Sequence, residues 1–290
     1  MVADPLFLQT LVDGIMLGLI YALAAVGLSL SFGVMHVINV AHGEFIILGA
    51  FLTYIIWGFL GLNPLYSLPV IVVVNGLLGY LLQYHVVNKL LVGPPLASLV
   101  FFFGLAIALP NIYIILWGPF SRSVVDPILG MSISIYSINT SLARIFSSVL
   151  AVVVISIILY VLYKTRFGIG IRAATQNREA AMILGINIYK LYAYVFSISL
   201  ILAGLAGFAI ATTMAFTPVQ GPVYTLLTFL IVVLGGMGYV PGSIVAALFI
   251  GLAQTFIASY LSSLYVYAFA FLLLYAILLI SPRGILRRGI

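Results

Sequence analysis

The chain has 290 residues, of which 65% are hydrophobic and only 6% charged, and its mean hydropathy is +1.34. A soluble domain carries roughly 25% charged residues, so a soluble, fibrous or disordered protein is excluded and a bilayer-embedded one is predicted. The eleven Lys and Arg and five Asp and Glu leave long uncharged stretches, suited to crossing ~30 Å of hydrocarbon. The absence of cysteine excludes disulfides, thiol catalysis and thiolate metal sites.

In chain order, apolar segments fall at 8–32, 43–60, 67–87, 96–117, 145–163, 191–213, 222–239, 244–262 and 265–280, nine predicted crossings. They are continuously apolar, without the period-two alternation of a barrel wall, which predicts helices. No Lys or Arg precedes the first segment, and it outruns a secretory signal, so a retained helix is expected. Segments 43–60 and 222–239 are short and adjoin Gly-rich stretches, so each reads either as a crossing or as a re-entrant helix; the expected count is seven to nine. The fold class is all-α, a polytopic membrane helix bundle forming a single domain over 1–290.

The basic residues set the topology. Lys89, the loop residues Lys164, Arg166, Arg172, Arg178 and Lys190, and the tail residues Arg283, Arg287 and Arg288 belong on the cytoplasmic side. The N-terminus, with Asp4 and Asp13, is then expected outside and the C-terminus in the cytoplasm. Only Arg122 and Arg144 oppose this, in the 118–144 loop beside Asp126. The net charge of +6 is accounted for by topology and calls for no nucleic-acid partner.

Three stretches could carry chemistry. Between Gly33 and Glu44 the polar residues His36, Asn39, His42 and Glu44 interrupt an apolar sequence. A broken helix at membrane depth is tolerated where it is buried in protein or lines a water-filled cavity, which makes Asn39, His42, Gly43 and Glu44 candidate pathway residues. A cytoplasmic turn, with Asn39 capping the next helix, fits the same residues. His36 and His42, at i and i+6, do not share a helical face, so no metal site is assigned.

The second stretch, Gly235-Gly236-Met237-Gly238-Tyr239-Val240-Pro241-Gly242, is expected to stop any helix. It lacks the Gly-Lys-Ser or Gly-Lys-Thr of a nucleotide loop. Gly235, Gly236 and Gly238 therefore read either as close backbone packing at a break along a transport pathway or as a tight hairpin.

The third is the basic loop 164–190. Residues 173–184 contain no Gly or Pro, and Gly185 stands at a helix C′ position, so one short cytoplasmic helix is predicted. It would gather Ala173, Ala180, Ala181 and Leu184 on one side for close approach of another protein; a solvated loop that only sets topology, or contacts anionic lipid, is the alternative. Elsewhere, Gly14 and Gly18 form a Gly-x-x-x-Gly pair suited to close helix packing. Asn75 and Gln254 read as helix-to-helix hydrogen-bond partners, and Trp57 and Trp117 suit the interfacial belt.

The runs GLSLSFGVMHVINVAHGEFIILGAF, RAATQNREAAMILGIN and VVLGGMGYVPGSIVAALFIGLAQ together resemble the branched-chain amino-acid permease family of ABC importers, and within it the shorter, LivH type. The resemblance spans nearly the whole chain and implies an ABC-importer permease fold with an inverted repeat, in a bacterial inner membrane. It implies that Glu179, Ala180, Ala181 and Gly185, with Arg172 and Arg178 beside them, contact an ATPase. Downstream the sequence departs from the wider importer pattern, with Val195 followed by Phe196, Ser197 and Ile198 where Leu-Pro would stand. The implied partners are a second permease of the longer, LivM-like type, two ABC ATPase subunits and a periplasmic substrate-binding protein. This chain is expected to bind no cofactor and to have no catalytic residue; ATP and Mg belong to the partner subunits. The implied cargo is a branched-chain or other hydrophobic amino acid, moved by alternating access; separately from the resemblance, Glu44 is the acidic residue closest to the membrane interior and so a candidate contact for the amino group. Urea or short-chain amides would suit a similar permease, and a self-contained channel or facilitator is the competing class.

Overall fold

The structure is a computed structural model and describes residues 4–94, 96–135 and 138–280. The tail residues Arg283, Arg287 and Arg288 lie outside the described residues. The helices are α1 (Pro5–Met35), α2 (His42–Tyr54), α3 (Ser67–Leu82), α4 (Asn88–Leu90), α5 (Ala97–Trp117), α6 (Leu142–Lys164), α7 (Arg166–Gln176), α8 (Arg178–Ile183), α9 (Ile188–Thr213), α10 (Gly221–Gly235), α11 (Val240–Tyr260) and α12 (Tyr265–Ile280). Among the described residues, eight helical stretches, α2 and α10 included with their flanking turns, are long and apolar enough to cross a membrane, and α12 is a shorter apolar helix. The chain is a polytopic helical membrane protein.

Local chemistry sets the ends. Asp4 caps α1 by accepting from the Leu6 amide at 3.1 Å, with Pro5 at the first helical position. The helix closes at His36, which takes the left-handed conformation at φ +55°. At 31 residues, α1 is ~46 Å long, so its two ends mark opposite faces of the bundle.

α1 and α9 form the centre, with α2, α10 and α11 around them. Small residues set the seams. A Cβ on Gly18 would come within 2.7 Å of the Leu248 Cα, and one on Gly14 within 2.9 Å of the Leu252 Cα, so the Gly-x-x-x-Gly pair does bring α1 against α11. Gly49 of α2 meets Gly204 of α9 in the same way. Asn75 donates to the carbonyls of Phe45 (3.3 Å) and Leu200 (3.0 Å), tying α3 to α2 and α9, and the Tyr21 hydroxyl donates to Gln254 at 3.0 Å. Trp117, expected at an interface, also packs inward, stacked on buried Phe51 with ring centroids 4.5 Å apart. α3, α5, α6 and α12 present apolar outer faces, including Val73, Ile115, Ile157 and Leu272.

The 118–144 loop contains structure that its reading as a loop had not anticipated: strands β1 (Ser132–Ile135) and β2 (Ile138–Ser141) form an antiparallel hairpin, with Ser132 opposite Ser141. It docks on the start of α1, where Gln9 donates to the Asn139 carbonyl at 2.9 Å and accepts from the Asn139 amide at 2.8 Å. The far end of α1 meets the basic segment, since Leu30, Gly33 and Val34 share a cavity wall with Ile171, Arg172 and Thr175 of α7.

Candidate functional site

The break after α1 lies within the bundle. From His36 the chain runs back, without helix, to Ala41, and α2 starts at His42. The His42 Nε2 is 3.1 Å from the Ala24 carbonyl, eleven residues or ~16 Å of helix short of the end of α1. Asn39, 1% exposed, holds the corner by accepting from the Ala41 amide at 3.1 Å. Asn39 and His42 thus lie at a break buried inside the protein, where freed backbone groups need internal partners.

A second interrupted helix meets the first. α9 ends at Thr213, and a turn capped reciprocally by Thr217 and Gln220 leads into α10 at Gly221. The Gly43 amide of α2 donates to Thr225 Oγ1 of α10 at 2.8 Å. The Glu44 carboxylate, fully buried, sits against Gly221, where a Cβ would come within 2.0 Å of Oε1. The first turns of two helices thus meet at one carboxyl group. Neither carboxylate oxygen has a hydrogen-bond partner among the described residues. The Tyr113 hydroxyl of α5 donates to the Glu44 backbone carbonyl at 3.0 Å, closing the third side.

Beside this junction opens a cleft of about 380 Å³ lined by Leu28, Asn39, Phe103, Ile107, Thr225 and Phe229, among others. Its walls are apolar except for Asn39 and Thr225. His42, Gly43 and Glu44 lie behind the cleft wall, not on it. Thr225 and Gly221 are not singled out by the sequence; the signal available was the pair Pro218 and Pro222, which marks a helix start at the head of segment 222–239.

Gly235, Gly236 and Gly238 lie elsewhere. Only residues 236–239 are non-helical, because Pro241 and Gly242 fit the first turn of α11, so the helix stop is shorter than the predicted 235–242. Gly236 and Gly238 take φ of +92° and +82°, backbone that favours glycine. Gly238 touches Gly33 of α1, and Gly235 packs on Gly242. A cavity of about 240 Å³ beside this turn is lined by Gly33, Tyr163, Arg172, Gly238 and Tyr239. It joins the Gly-rich turn to the basic segment, not to the cleft at Asn39.

The basic segment corrects the single predicted helix over 173–184. Asn177 breaks it, ending α7 and capping α8 by accepting from the Ala180 amide at 3.0 Å. The predicted small-residue face breaks with it: Ala181 is buried and Ala173 half-buried, while Ala180 and Leu184 are exposed. Gly185, at φ +85°, does close the helix: its amide donates to Met182 and the Ile186 amide to Ala181, a Schellman motif. Arg178 lies over the rings of Tyr189 (5.9 Å) and Tyr192 (5.8 Å), and Arg172 donates to the Leu162 carbonyl. These contacts seat α7 and α8 on the bundle while Glu179, Ala180, Ile183 and Leu184 face outward. Where Leu-Pro was absent, α9 runs unbroken through Phe196 and Ser197.

Comparison with known proteins agrees with this architecture. Residues 10–278 match the family described as the permease component of branched-chain amino acid transport systems. The high-affinity branched-chain amino acid transport system permease protein LivH of Escherichia coli strain K12 is 28% identical over 97% of this chain and 96% of its own length. The permease protein BraD of Pseudomonas aeruginosa is likewise 28% identical, over 97% and 96%. The guanosine ABC transporter permease protein NupQ of Bacillus subtilis is 33% identical over 38% of this chain and 35% of its own. PsaBC from Streptococcus pneumoniae shares the fold, with a TM-score of 0.51 at 12% identity, covering 95% of this chain and 93% of that one. With the family matched over nearly its whole length, this chain belongs to the permease components of branched-chain amino acid transport systems.

Proposed function

We propose that this chain is the transmembrane subunit of an ATP-driven importer that moves branched-chain or other hydrophobic amino acids from a periplasmic binding protein to the cytoplasm of a bacterial cell. The observation that carries this reading is the division of labour along α1: an apolar cleft at a mid-bundle helix break, and an outward-facing short helix at one end of the bundle. The cleft, with its two polar side chains and no charge on its wall, suits an apolar solute side chain. Nothing in the sequence resembles a nucleotide site, so energy enters from ATPase subunits docking on α8, and ATP with Mg belongs to them.

In this reading the basic end of the bundle, with Lys89, Lys164, Arg166, Arg172, Arg178 and Lys190, is cytoplasmic, and the N-terminus with the hairpin is outside. The C-terminus is then cytoplasmic. A second permease of the longer type covers the apolar outer faces that lipid does not. Closure of the ATPases pushes α7 and α8, and the Gly33–Gly238 contact carries that push to both interrupted helices, rocking the bundle between outward and inward openings. Asn39 and Thr225 border the passage, and the Gly43–Thr225 hydrogen bond holds the α2 and α10 ends together.

Co-purification of the tagged chain with the products of its neighbouring genes, followed by an ATPase assay with leucine-loaded binding protein, tests this. The expected result is a complex containing ATPase subunits whose hydrolysis rises with loaded binding protein, and in which Glu179→Arg removes the ATPases. A chain that purifies alone and conducts solute without ATP would replace the importer with a facilitator.

A further inference from the structure

A second cavity, of about 160 Å³, lies at the hairpin end of the bundle and is lined by Asp13, Met16, Leu17, Ile20, Arg144, Thr213, Met214 and Thr255. The guanidinium of Arg144, in the first turn of α6, donates from Nη1 to Asp13 Oδ1 at 2.7 Å. Gln9 donates to the other Asp13 oxygen at 2.8 Å. A guanidinium has five N–H donors, and Arg144 uses one of them on a protein partner among the described residues. Both charged side chains remain partly accessible, 41% for Arg144 and 20% for Asp13. One and two turns deeper on α1, Met16, Leu17 and Ile20 form an apolar floor. The hydroxyls of Thr213 and Thr255 are committed to their own helices, donating to Ala209 at 2.6 Å and Gly251 at 2.9 Å.

This is one cation and one anion, adjacent at the rim of a cavity whose remaining wall is apolar apart from two threonines with hydroxyls already bonded. The pair is neutral as a whole, so it gives no net attraction to a simple anion or cation. It matches a small solute with opposite charges on one carbon and an apolar tail. We infer that this cavity is an entry subsite for a free α-amino acid, with the carboxylate on the unused Arg144 donors, the ammonium on Asp13 and the side chain over Met16, Leu17 and Ile20. The planar guanidinium fork suits bidentate carboxylate binding. The subsite deepens the amino-acid reading of the cargo and rests on it.

Saturation-transfer NMR on the full chain in lipid nanodiscs tests the subsite, with leucine, leucinamide and 4-methylpentanoate as probes. Wild-type chain should saturate the leucine methyls and bind each analogue about tenfold more weakly, the factor expected for one charge-assisted hydrogen bond. Arg144→Gln should erase the preference for leucine over leucinamide, and Asp13→Asn the preference over 4-methylpentanoate. Because either variant could loosen the hairpin, Met16→Trp is the companion: it fills the cavity, keeps the ion pair and should abolish leucine saturation. An ion pair that only pins α6 to α1 would leave the analogue ranking unchanged in both charge variants, which overturns the inference. So would the absence of leucine saturation in wild-type chain. A transporter that carries leucine with ATP while failing these tests would lose the subsite alone; one that carries no amino acid would lose the reading beneath it.

Discussion

The Glu44 carboxylate rests against the α-carbon of Gly221, 177 residues further along the chain, at the meeting point of two helices that both begin inside the bundle. A side chain of any size at Gly221 would occupy the space of Oε1. The absence of a Cβ at 221 and the carboxyl group at 44 are therefore one feature: α10 approaches close enough for its first turn to pack against the side chain carried by the first turn of α2.

Gly221→Ala should cost about 1–3 kcal/mol through overpacking at this contact, read as a lower melting temperature of the purified chain in detergent. Gly104→Ala is the control. Its Cβ would meet nothing within 4 Å, and alanine in a helix gains roughly 0.5–1 kcal/mol over glycine, so melting should hold or rise.

Asn75→Leu removes the donor to both Phe45 and Leu200 carbonyls. Side-chain hydrogen bonds between membrane helices are worth about 0.6 kcal/mol on average and up to ~1.7. The variant should melt lower by that order, whereas Asn111→Leu should not, since among the described residues Asn111 donates only to the Ile107 carbonyl of its own helix.

Asn177→Ala removes the cap of α8 and should cost about 1 kcal/mol locally. The expected outcome is faster amide exchange over 178–183 with protection of α1 and α9 unchanged. In the assembled transporter the same variant should lower ATP-driven uptake while membrane insertion holds.

Ile183 and Leu184 are 87% and 79% exposed, apolar side chains at the tip of the segment proposed to receive the ATPase. Ile183→Asp with Leu184→Asp should leave melting unchanged and remove the ATPase subunits from the purified complex. Retention of those subunits would move the docking surface elsewhere.

Local patterns were legible in the sequence. The crossings followed from uncharged length, the Gly14 and Gly18 seam from spacing, the Asn75 bonds from the cost of an unpaired amide in an apolar run, and the Gly185 cap from its place after the helix. Two misses were also local. Asn177 is a favoured N-cap residue with the acidic Glu179 in the turn that follows, inside a stretch whose composition reads as one helix, and Ser132–Ile135 alternates with period two in a loop that its charges alone do not mark as a strand. The junction at Glu44 was not legible. Gly221 and Thr225 sit at the head of an ordinary-looking apolar segment, and their meeting with Gly43 and Glu44 is a long-range packing event with no local pattern. The same holds for Gly33 against Gly238, which joins the Gly-rich turn to the basic segment instead of to the cleft.

The central claim is that this chain moves hydrophobic amino acids only when ATPase partners drive it. The direct test is uptake of radiolabelled leucine into vesicles containing the chain with its permease and ATPase partners and loaded binding protein, with and without ATP. The account predicts accumulation that needs ATP and is lost with Glu179→Arg. Leucine equilibrating across vesicles that contain this chain alone, at the same rate without ATP, would contradict it.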